Sequence, residues 1–445
     1  MSAHYAHHDA PSREGTEVIV ELEARIADWE IAPGRTLRGF TYNGQVPGPT
    51  IETRVGDTVV VRLKNSLEEP TMIHWHGLRV PASMDGTQMV QPAVAPGETF
   101  EYRFTVPDAG TFWYHSHFNE TVQLEKGLYG ALIVREIDEL ALDRERVLVL
   151  DDVKLNRQGD FAKFGGWMEE HMGREGKVRL VNGRAEPELS ASAGQVERWR
   201  VVNASSARYV RLSIGGTPFS ILGTAGGLIE SPVQATETLL VPGDRIDIAV
   251  GPFDEGDMVS IESLPYDRHT GKKTVERFAT VRVGEGKAST AVIPERLRVI
   301  DPLAGPGATP NRSVKLSERL NLRRGTDFMI NDERHHNDAP VTVGELQIWD
   351  VANASHMDHP FHLHGFFFQV LAVNGVAPAF RSWEDTVNVP PKGNIRIAWM
   401  PDDRPGTWMY HCHILEHHAG GMMANFAVVR PGESVAAMPV SACHG

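Results

Sequence analysis

Three stretches of this chain carry the same markers in the same order. Asn43-Gly44, Asn182-Gly183 and Asn331-Asp332 each stand 12 or 13 residues before a glycine: Gly56, Gly194 and Gly344. Each of those glycines opens a strand-like run that ends nine residues on, in Asn65, Asn203 and Asn353. A Pro/Gly turn leading into an alternating run follows in each copy: Pro96-Gly97-Glu98, Pro242-Gly243-Asp244 and Pro391-Lys392-Gly393-Asn394. Successive glycines of the two series lie 138 to 150 residues apart, which is a domain-sized period. The pattern predicts three copies of one unit, 1–140, 141–295 and 296–445, and 445 residues is about three times a usual domain of roughly 150. Within each copy the runs are short, β-branched and alternating, as in Thr58-Val59-Val60-Val61-Arg62-Leu63, and 42 Gly and 28 Pro punctuate them. That is the pattern of all-β sandwiches or barrels, with helix expected chiefly between Gly166 and Gly173.

Charge and cysteine content narrow the function. A formal net charge of −14 argues against nucleic acid or an anionic membrane as partner, because both select a basic face. The densest apolar run, Phe366-Phe367-Phe368-Gln369-Val370-Leu371, is strand-sized and far short of the roughly 18 residues that span a bilayer. Cys412 and Cys443 are the only cysteines, so a disulfide framework is excluded; Cys412 sits among histidines and Cys443 reads as an idle thiol. The first residues, Met1-Ser2-Ala3-His4-Tyr5-Ala6-His7-His8, lack the apolar centre of a signal peptide, as in a mature start with an added Met or a cytosolic protein.

Ten of the 20 histidines fall in four tight motifs: His74-Trp75-His76-Gly77, His115-Ser116-His117, His359-Pro360-Phe361-His362-Leu363-His364-Gly365, and His411-Cys412-His413 with His417 after it. Gly110-Thr111-Phe112-Trp113-Tyr114-His115-Ser116-His117 parallels Gly406-Thr407-Trp408-Met409-Tyr410-His411-Cys412-His413, so the motifs repeat between the first and third copies while the middle copy has none. On a strand, residues i and i+2 share a face, and each His-x-His therefore offers two imidazoles side by side. Four such pairs give eight nitrogen donors, too many for one ion and suited to three coppers with positions left open for dioxygen. The first copy must then face the third. The same alternation turns Cys412 to the other side of its strand from His411 and His413. A thiolate with two imidazoles and a long axial Met is the blue-copper electron-transfer set. His359, Cys412, His417 and Met422 supply it, and Gly420-Gly421 lets the chain turn back. Zinc also accepts imidazole and thiolate, but a structural zinc takes four ligands and leaves this many unexplained. His4, His7, His8, His171, His269, His335, His336 and His444 read as solvated or hydrogen-bonded side chains.

At these motifs, and at Asn43-Gly44-Gln45-Val46-Pro47-Gly48-Pro49-Thr50-Ile51, the sequence resembles the multicopper oxidase family of laccases, cuprous oxidases and bilirubin oxidases. The resemblance spans nearly the whole chain. It implies three cupredoxin-like Greek-key domains and four coppers, with a trinuclear cluster between the first and third domains. His74 and His362 are then assigned to type 2 copper, and His76, His115, His117, His364, His411 and His413 to the type 3 pair. The type 1 set agrees with the spacing above. The implied reaction is one-electron oxidation of a phenol, an aromatic amine or Cu(I), coupled to reduction of dioxygen to water. Asp85, nine residues after His76, matches the family's acid beside the cluster. Where bacterial relatives commonly carry Glu after the second type 1 histidine, this chain has His418, leaving His418, Glu416 or water for that part of proton delivery. Met357, in His356-Met357-Asp358, matches a methionine that cuprous oxidases use for substrate copper. A soluble, periplasmic or secreted monomer is expected.

Overall fold

The computed structural model describes residues 15–268, 274–321 and 325–433. His4, His7, His8, His269, His444 and Cys443 lie outside them. The described residues form six sheets in three pairs. The first pair runs from Glu17 to Arg135, the second from Arg144 to Gly284 and the third from Arg312 to Val429. Alternation of buried and exposed residues, as in Thr99–Thr105 and Met258–Leu264, marks strands with one face on a core. The short helix Trp167–Met172 lies where the sequence placed it.

The repeated markers have a common physical role. Asn43, Asn182 and Asn331 sit at positive φ, as do Gly56, Gly194 and Gly344, so each copy makes the same left-handed turns. Asn65, Asn203 and Asn353 are buried and donate from Nδ2 to two carbonyls each: Glu69 and Val94, Arg208 and Leu240, Met357 and Val389. Each accepts on Oδ1 from the backbone N–H two residues on. One side chain thus satisfies three buried backbone groups at the end of a strand, which only Asn can do with this geometry.

The packing closes the first sheet pair onto the third. One continuous apolar cluster includes Leu22, Trp75 and Phe104 of the first together with Trp349, Phe361 and Phe426 of the third. The middle pair has its own core around Trp199, Ile248 and Phe278. It is tied to the first pair by Trp29, Val149 and Leu180. Motif-bearing strands then meet edge to edge. Ile73–His76 pairs antiparallel with Gly110–Ser116, placing His74 opposite His115. His359–Leu363 pairs with Gly406–Cys412, placing His362 opposite His411 and Phe361 opposite Cys412.

Candidate metal centres

The strand Gly406–Cys412 decides both centres. On one side, Cys412 Sγ lies 3.5 Å from His359 Nδ1 and 3.6 Å from His417 Nδ1, and the two nitrogens are 3.2 Å apart. These three atoms form a near-equilateral triangle, and all three residues are buried. The opposite ring nitrogens are already used: His359 Nε2 meets Ser355 Oγ at 2.8 Å, and His417 Nε2–H donates to the His171 carbonyl at 3.0 Å. Both Nδ1 lone pairs are therefore free to face a metal. The Phe328 ring stacks on His417 at 4.0 Å. Met422 is fully buried in the same apolar cluster, and its carbonyl accepts from the Cys412 N–H at 3.1 Å. Burial pushes the His359 imidazole down to about 3 and the Cys412 thiol up to about 12. A neutral imidazole is the ligating form, whereas a thiolate here requires a cation at the triangle.

On the other side of the strand, the eight remaining motif histidines converge. His74 of the first sheet pair stacks on His364 of the third with ring centres 3.9 Å apart, and His76 stacks on His362 at 3.8 Å. His411 and His413 complete the ring of imidazoles, with His413 5.0 Å from His76 and His411 5.9 Å from His117. The two copies face each other as the motif pairs require.

Hydrogen bonding orients these rings. Six donate from Nδ1 outward: His74 to the Asp85 carbonyl (2.8 Å), His115 to Ser116 (2.9 Å), His362 to Asp385 (3.0 Å), His411 to Cys412 (2.8 Å), His117 to Glu120 Oε1 (2.7 Å) and His364 to Asp85 Oδ2 (2.9 Å). His76 uses Nε2 instead, toward Asp385 Oδ1 and Thr386 Oγ1. Other ring nitrogens have no partner among the described residues: Nε2 of His74, His115, His117 and His362, Nδ1 of His76, and both of His413. His364 Nε2 and His411 Nε2 point at each other across 3.0 Å, two lone pairs with no proton between them, since both Nδ1 atoms carry the donated one. Burial holds His76, His115, His364, His411 and His413 well below the usual imidazole range. Buried lone pairs without donors are costly, and a metal cation satisfies the one lone pair of each neutral ring. The residues fit copper: neutral imidazoles around the larger site, thiolate and two imidazoles at the smaller.

Several contacts of this site carried no sequence signal. Asp385 is gripped by Arg245 of the middle sheet pair, with Nη1 to Oδ1 at 2.7 Å. Against the cost of burial, that guanidinium holds the Asp385 carboxyl well below its usual range. The middle copy thus orients His76 and His362, although none of its described residues is among the converging imidazoles. Gly243, at φ +87° in the repeated turn, lets His413 approach: a Cβ there would sit 2.9 Å from the ring. His418 pairs with Glu120 (Nδ1 to Oε2, 3.1 Å), and its ring stacks on His411 at 4.2 Å. Glu120 is buried, yet His117 and His418 hold it well below the usual carboxylate range. Its only legible cue was a position three residues after His117. His171 and His336 are hydrogen-bonded, to Thr326 and Glu333. Met357 is buried in the apolar cluster, and the Asp358 carboxylate beside it already accepts from Asn388 Nδ2 (2.7 Å) and the Tyr266 hydroxyl (3.2 Å).

Family models described as multicopper oxidase match residues 24–139 and 309–432. A solved multicopper oxidase from Campylobacter jejuni, described as a metallo-oxidase, is 31% identical with a TM-score of 0.83, over 94% of this chain and 96% of that one. A laccase-like multicopper oxidase from Ochrobactrum sp. is 26% identical with a TM-score of 0.83, over 94% of this chain and all of that one. Among curated proteins, the Staphylococcus aureus multicopper oxidase mco is 27% identical over 92% of this chain and 88% of its own length. With three pairs of β-sheets, a thiolate site and an eight-imidazole site joined by one strand, and these likenesses along nearly its whole length, this chain belongs to the multicopper oxidase family: it is a copper-dependent oxidoreductase.

Proposed function

We propose that the protein is a laccase-like oxidase, taking single electrons from phenols or aromatic amines and reducing dioxygen to water. Four substrate O–H or N–H groups each give up one electron and one proton, and one dioxygen takes up four of each to become two waters. The three sheet pairs are proposed as domains divided near residues 140 and 295. We assign one type 1 copper to His359, Cys412, His417 and Met422, one type 2 copper to His74 and His362, and two type 3 coppers to His76, His115, His117, His364, His411 and His413. Bound there, copper supplies one-electron redox chemistry at the thiolate site and dioxygen reduction among the imidazoles.

The observation that carries this reading is the alternation at His411-Cys412-His413. Cys412 Sγ belongs to one site and the rings on either side of it to the other, so the chain itself is the covalent path between them. The walls do the rest. Buried aromatic residues such as Trp113 and Phe361 exclude water, and Asp85 and Asp385 fix ring orientation. Asp85 touches His74 of the first sheet pair and His364 of the third, which supports it as the acid beside the cluster that water formation needs. Because both ligand halves lie on one chain, a monomer closes the site. A periplasmic or secreted location is part of the same proposal; among the described residues no helix is long and apolar enough to cross a membrane.

The metallo-oxidase alternative is favoured by the Campylobacter likeness and opposed by the packing of Met357 and the prior engagement of Asp358. Oxygen consumption with a substituted phenol and with Cu(I) separates the two. Met357→Leu lowers the Cu(I) rate alone if substrate copper binds there, and leaves both rates unchanged if Met357 is packing. A protein that is colourless when copper-loaded, or whose blue colour is not bleached by ascorbate under argon and restored by air, would falsify the oxidase reading itself.

A further inference from the structure

The 14 methionines are scattered in the sequence, but the fold gathers three of them. Met89, Met409 and Met423 line a cavity of about 150 Å³ together with His335, His418, His117 and Glu120. Its lining passes from exposed Gln88, Asn119 and Ala419 to buried His117, Glu120 and His418, so it leads from the surface to the edge of the imidazole cluster. Two of its lining residues, His117 and His418, bring one ring nitrogen each within 4.8 Å of one another and of a ring nitrogen of His411, and all three residues are buried. Two of these belong to the eight-imidazole set; His418 does not. It is held in place by Glu120, which also binds His117, and it stacks on His411. An imidazole beyond the family's ligand set, anchored to one cluster ligand and stacked on another, stands between that set and the outside.

The composition of this wall selects a chemistry. Thioethers and neutral imidazoles are soft to intermediate donors that suit Cu(I), and one buried carboxylate supplies the compensating charge. Neither a dioxygen path nor a water path has any need of three sulfurs.

We propose that the cavity is a copper-loading site, in which Cu(I) passes Met89, Met409 and Met423, is held by His418 beside Glu120, and is transferred by ligand exchange to His117 and His411. No electron moves in that transfer: one Cu(I)–imidazole bond breaks at His418 as bonds to the cluster rings form. The inference rests on the assignment of His117 and His411 to the cluster.

The test is reconstitution of the metal-free full-length protein with Cu(I) under argon, followed at set times by desalting and oxidation with ferricyanide, which takes electrons from the thiolate site without dioxygen. Blue colour reports the thiolate site, and total copper beyond that reports the cluster. In the native protein both reach completion. In His418→Ala, and separately in Met89→Leu/Met409→Leu/Met423→Leu, where volume is nearly conserved, cluster filling slows by about tenfold or more. Colour returns at the native rate, and the final copper content is native. Native filling rates in both variants overturn the proposal. So does an equal slowing of the colour, which would mean a general folding defect, or a final shortfall of copper in His418→Ala, which would make His418 a permanent ligand. Failure of the oxidase assignment reads differently, as absence of blue colour in the native protein.

Discussion

Gly243→Ala tests whether the middle repeat shapes the imidazole site. The new Cβ would lie 2.9 Å from His413 Cδ2 and Nε2 and 3.0 Å from Cγ. Unstrained carbon contacts need about 3.5–4.0 Å, so the ring must retreat by roughly 0.5–1 Å. The backbone adds its own penalty, since φ is +87° and a non-glycine residue there costs about 1–2 kcal/mol. Gly97→Ala is the matched control: it occupies the same turn in the first copy at φ +85°, with nothing within 4 Å of its Cβ. Both variants should lose the backbone term, read as a similar fall in the apparent unfolding midpoint. Only Gly243→Ala should displace His413. A displacement approaching 1 Å at a reacting site costs about a hundredfold in rate, so oxygen uptake falls by that order while the blue colour persists. Equal oxygen uptake in the two variants would refute the claim that the middle copy sets the position of His413.

Other perturbations follow from the same contacts. Glu120→Ala removes the acceptor that fixes His117 and His418, so copper retained by the cluster after dialysis against a chelator falls about 10–100-fold in affinity while the blue site is untouched. Ser355→Ala leaves the His359 Nε2–H without its buried acceptor, and chemical denaturation should show a loss of about 1–2 kcal/mol together with an altered blue band. An unchanged band and midpoint would mean that His359 is oriented by something else. Glu136 is buried, which opposes its ionisation, but Arg198 and Arg200 hold its pKa down to about 2. Its folded value lies below the unfolded value of 4.5, so its stabilisation is complete above about pH 4.5 and disappears as pH falls toward 2. Glu136→Gln should therefore be less stable than the native chain at pH 6, by about 3 kcal/mol, with the gap narrowing through that acid window.

The parts of the fold and site that were legible in the sequence are those fixed by local geometry. A two-residue period decides which side of a strand each ring takes, and so His411-Cys412-His413 announces two sites without any tertiary information. The asparagines and glycines of the repeat were legible for the same reason, because each satisfies a turn or strand end within its own copy. What escaped is what depends on contacts across the chain. Glu120 meets His418 298 positions away, Arg245 meets Asp385 140 away, and no spacing rule connects them. Gly243 was visible as a repeat marker, yet its role toward His413 arises only when the second sheet pair packs on the third. The sequence leaves that part of proton delivery to His418, Glu416 or water; packing adds what no local spacing offers, the Glu120 carboxylate of the first sheet pair against His418.

The central physical claim is that one strand, with sulfur on one side and imidazoles on the other, couples two metal sites. Rapid mixing of Cys412→Ser, loaded with copper, against a reducing phenol measures that coupling directly. The expected result is a colourless protein that keeps its cluster copper and its unfolding midpoint but consumes no oxygen above background. Native-rate oxygen consumption by that variant would mean that electrons reach the imidazole site by another path, and the coupling assigned to Cys412 would be wrong.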